Sequence, residues 1–129
     1  MTALAHSTRL IHDKSYEALE AALALIEEPG MWCKGAVSRN ITGTEQRCAL
    51  GAIVDAGEMY LAEREAMAKM QELAKGLGFE NLVELNDDPH VKHCVIVGLF
   101  KRAIREEKAR HAAGASVAIT APGKVATYA

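Results

Sequence analysis

The sequence predicts an all-α domain, a compact bundle of about four helices followed by an extended C-terminal tail. Three observations carry this. Apolar residues recur at three- and four-residue steps through most of the chain. Pro29-Gly30, Gly57, Gly76 and Asp88-Pro89 punctuate those stretches. Half of the residues, 50%, are hydrophobic but only 5% are aromatic, so the core must come from close helix packing on alanine-sized side chains. At 129 residues one domain is expected, spanning 1–113, with 114–129 as an extended or disordered tail. A chain of this size can bury roughly two-thirds of its unfolded surface and needs no disulfide or metal to be stable.

The first helix is expected over residues 13–28, with an earlier turn at 8–12. Tyr16, Leu19, Leu23 and Ile26 form its apolar stripe, and Asp13, Glu17, Glu20 and Glu27 fall mostly on other faces. Pro29-Gly30 ends it, because proline cannot donate to the helical ladder and glycine allows a left-handed exit. Residues 31–44 read as an irregular connection holding Gly35, Ser38, Asn40 and Gly43.

The second helix is expected over 44–56. Thr42 and Thr44 compete as N-caps, and Thr42-Gly43-Thr44-Glu45 has the spacing of a capping box. Cys48, Gly51, Ala52 and Asp55 give it a small inner stripe, which Ala49, Ile53 and Ala56 extend. A glycine in mid-helix costs about 1 kcal/mol relative to alanine, so Gly51 implies a neighbour that approaches the backbone closely.

The third helix is expected over 60–75. Ala66, Met70, Leu73 and Leu77 line one seam with Met67 and Ala74 beside it, and Gly76 and Gly78 close it. Residues 81–88 are turn-rich, with one helical turn at 82–85. Asp88-Pro89 then signals the start of a fourth helix, a capping carboxylate followed by proline at the first helical position. Val91, Val95, Leu99, Ile96, Phe100 and Ile104 make its first half apolar nearly all round, which predicts a central, buried helix. Its second half is charged. A strand at 94–100 is the alternative, but the Asp-Pro signal and the charged periodicity favour helix. After Gly114 the helical period is lost.

Composition excludes several function classes. The formal net charge of −2 leaves no global electrostatic case for nucleic acid, whose binding rests largely on phosphate neutralisation. The three cysteines, Cys33, Cys48 and Cys94, match no zinc or secreted disulfide spacing and read as reduced cytoplasmic thiols. The N-terminus lacks the basic and apolar regions of a secretory signal. No apolar run approaches the roughly 20 residues of a membrane span. A cytoplasmic location is expected, with no cofactor.

Cys48 is the first candidate for chemistry. A thiol near a helix N-terminus and beside Arg47 has two features that lower a thiol pKa. His93 or His90 would supply the base, and Asp87, in Asn86-Asp87-Asp88, an orienting carboxylate. The plainer reading, a small buried core residue, is preferred because close packing accounts for Cys48, Gly51 and Ala52 together. Cys33, Cys48, His90, His93 and Cys94 have no zinc-ligand spacing, so no metal site is expected. Capping and turn chemistry account for Asn86, Asp87 and Asp88. Trp32 is expected to fold back as a core plug whose indole N–H needs one partner. Trp32, Arg47 and Asn86 are the candidate binding residues. Residues 101–111 carry five basic against two acidic side chains, and the interleaved glutamates suggest a solvated face of side-chain ion pairs.

The order Trp32…Gly35-Ala36, Arg47-Cys48-Ala49-Leu50-Gly51-Ala52-Ile53, Asn86-Asp87, then Val95…Leu99-Phe100-Lys101-Arg102-Ala103-Ile104 resembles a family of small bacterial and phage domains of unknown function. That family has Trp-x-x-Gly, Arg-Cys-Ala-x-Gly-Ala and Asn-Asp patterns followed by a helix. The resemblance covers residues 8–107 and implies an all-helical accessory protein of a bacterium or phage. It carries over no activity. The expected function is a small, soluble, non-enzymatic binding protein, a phage or mobile-element factor acting on a host protein. The alternative is a small hydrolase-like enzyme using Cys48 with His90 or His93. A protein partner is expected, nucleic acid and membrane are not, and a homo-oligomer stays open.

Overall fold

The computed structural model describes residues 14–57 and 61–120. The turn expected at 8–12 and the tail from 121 onward lie outside them. The element order is α1 (Ser15–Ile26), a 3-10 turn (Pro29–Met31), β1 (Ser38–Ile41), β2 (Thr44–Arg47), α2 (Ala49–Gly57), α3 (Leu61–Gly76), α4 (Leu82–Asp87) and α5 (His93–Thr120). The chain is mostly helical around a compact helical core, but it is not purely all-α, since β1 and β2 form a small antiparallel sheet.

Helix α1 is the element that α2, α3 and α5 share. Leu19, Leu23 and Ile26 of the stripe read from the sequence are buried together with Ala18 and Ala22, while Tyr16 is only half-buried. Glu17 reaches back to the Lys14 N–H at 3.3 Å, tying off one of the orphan donors of the first turn. The core pools those residues with Ala49, Ala52 and Ile53 of α2, Ala66, Met70 and Leu73 of α3, and Ile96, Leu99, Phe100 and Ala103 of α5. Alanines at the contacts let the helices approach closely, which offsets the shortage of aromatic bulk.

The central role expected of the last helix therefore belongs to α1. Helix α5 buries Ile96, Leu99 and Phe100 but leaves Val95 41% exposed, with Cys94 and Gly98 also on the surface. Its start also differs. Asp88 caps the end of α4, and its carboxylate accepts the His90 N–H at 2.8 Å. Its carbonyl accepts the Val91 N–H at 3.0 Å, so Pro89 sits in a turn and α5 begins at His93. Helicity also continues across Gly114 to Thr120, where the sequence reading placed an extended tail.

The hairpin replaces the expected capping box. Thr42 and Gly43 both have positive φ, 48° and 84°, between the paired residues Ile41 and Thr44. Two such residues make the tight turn whose twist matches antiparallel strands. Asn40 supports it by accepting the Gly43 N–H at 3.2 Å. Residues 44–47 are thereby strand, and the second helix starts only at Ala49. Leu77, placed on the buried seam of the third helix, is 50% exposed because it follows the helix end at Gly76.

Candidate functional site

The residues singled out around Trp32, Cys48 and Asn86 meet at one junction, where the loop after the 3-10 turn, the start of α2 and the end of α4 converge. Asn86 is its hub and is fully buried. Its Oδ1 accepts the Trp32 indole N–H at 2.7 Å and the Ala49 backbone N–H at 2.9 Å. Its Nδ2 donates to the Cys33 carbonyl at 3.0 Å and to Asp87 Oδ1 at 3.0 Å. Two acceptor sites and two donors are thus all engaged, which is the full capacity of a carboxamide. Asp87 Oδ1 also accepts the Gly35 N–H at 2.9 Å. One Asn-Asp pair therefore ties three segments together.

Trp32 is half-buried and packs against the core, as a plug with one indole partner should. The His93 ring lies beside it, centroids 5.5 Å apart and planes tilted by 52°. Lys34, which the sequence reading passed over, locks the far side. Its ammonium donates to the carbonyls of Asp88 and Val91, the latter at 2.6 Å, and lies 5.3 Å from the Trp32 ring centroid. No sequence pattern marks this residue, since both carbonyls are distant in the chain.

Cys48 occupies the N-cap of α2. Its carbonyl accepts the Ala52 N–H at 3.0 Å, its own N–H donates to the Val37 carbonyl at 3.0 Å, and its sulfur accepts the Gly51 N–H at 3.4 Å. The thiol thus takes the place of the usual capping oxygen. The neighbour implied by Gly51 is Val37, whose carbonyl oxygen would lie 2.3 Å from a Cβ at that position. Burial pushes the Cys33 thiol up; Arg39 opposes that shift, while Cys48 and Asp87 add to it.

The candidate bases stand apart from this thiol. Nε2 of His93 meets the Ile26 carbonyl at 2.7 Å, and because a carbonyl only accepts, that nitrogen carries the proton. His90 is 95% exposed, with Nδ1 3.5 Å from Asp88. Neither imidazole hydrogen-bonds Cys48 among the described residues. Arg47 is turned to Asp55, Nε to Oδ2 2.5 Å, and to Glu45 at 3.4 Å. Asp55 is consequently exposed, not on the inner stripe of its helix. Among the described residues no group of three or more His, Cys, Asp or Glu is placed to hold a metal ion. No described helix is long and apolar enough to cross a membrane.

A family model described as a family of unknown function (DUF6197) matches residues 12–106. The chain belongs to that family. The matched span of this DUF6197 protein covers the junction, the hairpin and most of the helical core. No curated protein and no solved structure matches it.

A second polar cluster, also missed from the sequence, joins the first and last described helices of the DUF6197 protein. The buried Ser15 hydroxyl donates to Glu107 at 2.5 Å, and Arg110 holds the same carboxylate at 2.8 Å. Ser15 Oγ is 3.1 Å from His111 Nε2. Hydrogen bonds from Arg110 and Ser15 keep Glu107 below the usual carboxylate range despite the opposing effect of burial. With Ser15 fully buried, its contacts with Glu107 and His111 anchor α1 on α5.

Proposed function

We propose that this protein is a non-enzymatic binding factor, an accessory protein of a phage or mobile element that acts on a host protein in the cytoplasm. The observation that carries this reading is the fate of the donors at the start of α2. The Ala49 N–H is held by Asn86 and the Gly51 N–H by the Cys48 sulfur. A thiol hydrolase needs such donors free to stabilise a developing oxyanion. Here they are spent on architecture, and so are the Trp32 indole N–H and the Asn86 carboxamide. The phage association rests on the motif resemblance, and the binding role on the engagement of the Ala49 and Gly51 donors within the fold.

A pull-down from the native host tests the reading. The full chain should retain a defined host protein in stoichiometric amount. A chain that retains none, while turning over an ester or amide in a Cys48-dependent way, would replace the proposal with the enzyme alternative.

A further inference from the structure

We propose that the solvent face of α5, running through Cys94, Val95, Gly98, Lys101 and Arg105, docks an acidic amphipathic helix of a partner protein. The inference rests on the binding reading above and names its surface. Three features of the helix converge on it.

The first is charge. The sequence places Glu106 and Glu107 among five basic residues, which suggests a self-neutralised face. The structure draws both glutamates away from it. Glu106 meets Lys69 of α3 at 2.6 Å and Arg102 at 2.8 Å, while Glu107 is buried on Ser15 and Arg110. Lys108 pairs with Glu20 of α1 at 3.1 Å. Lys101 and Arg105, one helical turn apart and both exposed, are left with no ion-pair partner among the described residues. These two adjacent cations present a complement to an anionic side chain.

The second is Gly98. An interior helical glycine costs about 1 kcal/mol against alanine. Gly51 has a reason inside the protein, the Val37 carbonyl. A Cβ on Gly98 would meet nothing within 4 Å. The space above Gly98 is open, so the backbone of α5 can be approached there by a partner's side chain.

The third is the apolar end of the same stripe. Val95 is 41% exposed and Cys94 is exposed beside it, one turn before Gly98. The face therefore grades from apolar to cationic along the helix. An amphipathic helix whose leucines sit over Val95 and Gly98 and whose carboxylates reach Lys101 and Arg105 matches that gradient. A membrane surface would need a wider apolar stripe and more cations. Nucleic acid would need a basic field, against a net charge of −2.

The test uses the full isotope-labelled chain and four probes, read by amide shifts. These are a helical peptide with leucine on one stripe and glutamate on its flanks, the same peptide with lysine for glutamate, single-stranded DNA, and anionic lipid vesicles. The glutamate peptide should shift Cys94, Val95, Gly98, Lys101 and Arg105 while the lysine peptide stays silent. Its affinity should fall about tenfold in K101E/R105E and by a similar factor in G98L, both at exposed positions that leave the core untouched. Shifts centred elsewhere, no loss in either variant, or tighter binding of DNA or vesicles would overturn the proposal. The broader reading fails separately. A host protein retained equally by wild type and K101E/R105E would remove this face and leave the binding function standing.

Discussion

The Val37 carbonyl oxygen stands 2.3 Å from where a Cβ on Gly51 would be, and the same oxygen accepts the Cys48 N–H at 3.0 Å. The loop leading into the hairpin and the first turn of α2 are thus in backbone contact. Gly51→Ala should therefore destabilise the fold by about 1–3 kcal/mol through overpacking, although alanine is the better helix former. Gly98→Ala is the control, expected to stabilise by up to about 1 kcal/mol because its surroundings are open. Urea melts of both variants check the pair. Equal effects would mean that Val37 gives way.

Asn86 should be the most sensitive polar residue of the chain. Asn86→Ala would strand the Trp32 and Ala49 donors in a buried setting, at a cost of about 1–3 kcal/mol for each group left unpaired. Asn86→Asp keeps both acceptors but loses the Nδ2 donor and sets a second carboxylate against Asp87. It should be destabilising too, and more so where its carboxyl is ionised. Emission from the single tryptophan reports on the junction directly. An unshifted Trp32 spectrum with wild-type stability in Asn86→Ala would show that the hub is dispensable.

These two residues mark how far the sequence could be read. The helix periodicity was legible because Leu19, Leu23 and Ile26 repeat with the pitch of a helix that has one buried side. Gly51 was legible as an energetic oddity, though not its partner, because Val37 lies in a loop with no pattern of its own. The hairpin was hidden. All four residues of β1 are exposed, so they carry none of the alternation that marks a strand, and Thr42-Gly43-Thr44-Glu45 fits a capping box as well as a turn. Asn86 looked like turn chemistry because its partners Trp32, Cys33 and Ala49 are remote in sequence. The start of α5 was misplaced for a similar reason, since Lys34 ties down the Asp88 and Val91 carbonyls.

Thiol labelling separates the structural cysteines from the exposed one. Cys33 and Cys48 are buried, and burial raises the Cys33 pKa, whereas Cys94 is exposed. Iodoacetamide on the folded chain should modify Cys94 first, with Cys33 and Cys48 reacting only as the fold opens. Peptide mapping after a short pulse gives the order. Rapid labelling at Cys48 near neutral pH would return the hydrolase reading to contention.

The Glu106 carboxyl gives the fold a pH dependence whose direction follows from its partners. Hydrogen bonds from Lys69 and then Arg102 lower its pKa to about 2, against an ordinary value of 4.5. Its folded pKa lies below its unfolded one, so its contribution is present above the unfolded value and is lost as pH falls toward 2. Glu106→Gln should therefore lower the denaturation midpoint at about pH 7, and the gap from wild type should close between about pH 4.5 and 2. The side chain is partly exposed, so the gap should be small and should shrink further in high salt. A gap that persists unchanged into strong acid would assign the role of Glu106 to packing instead of charge.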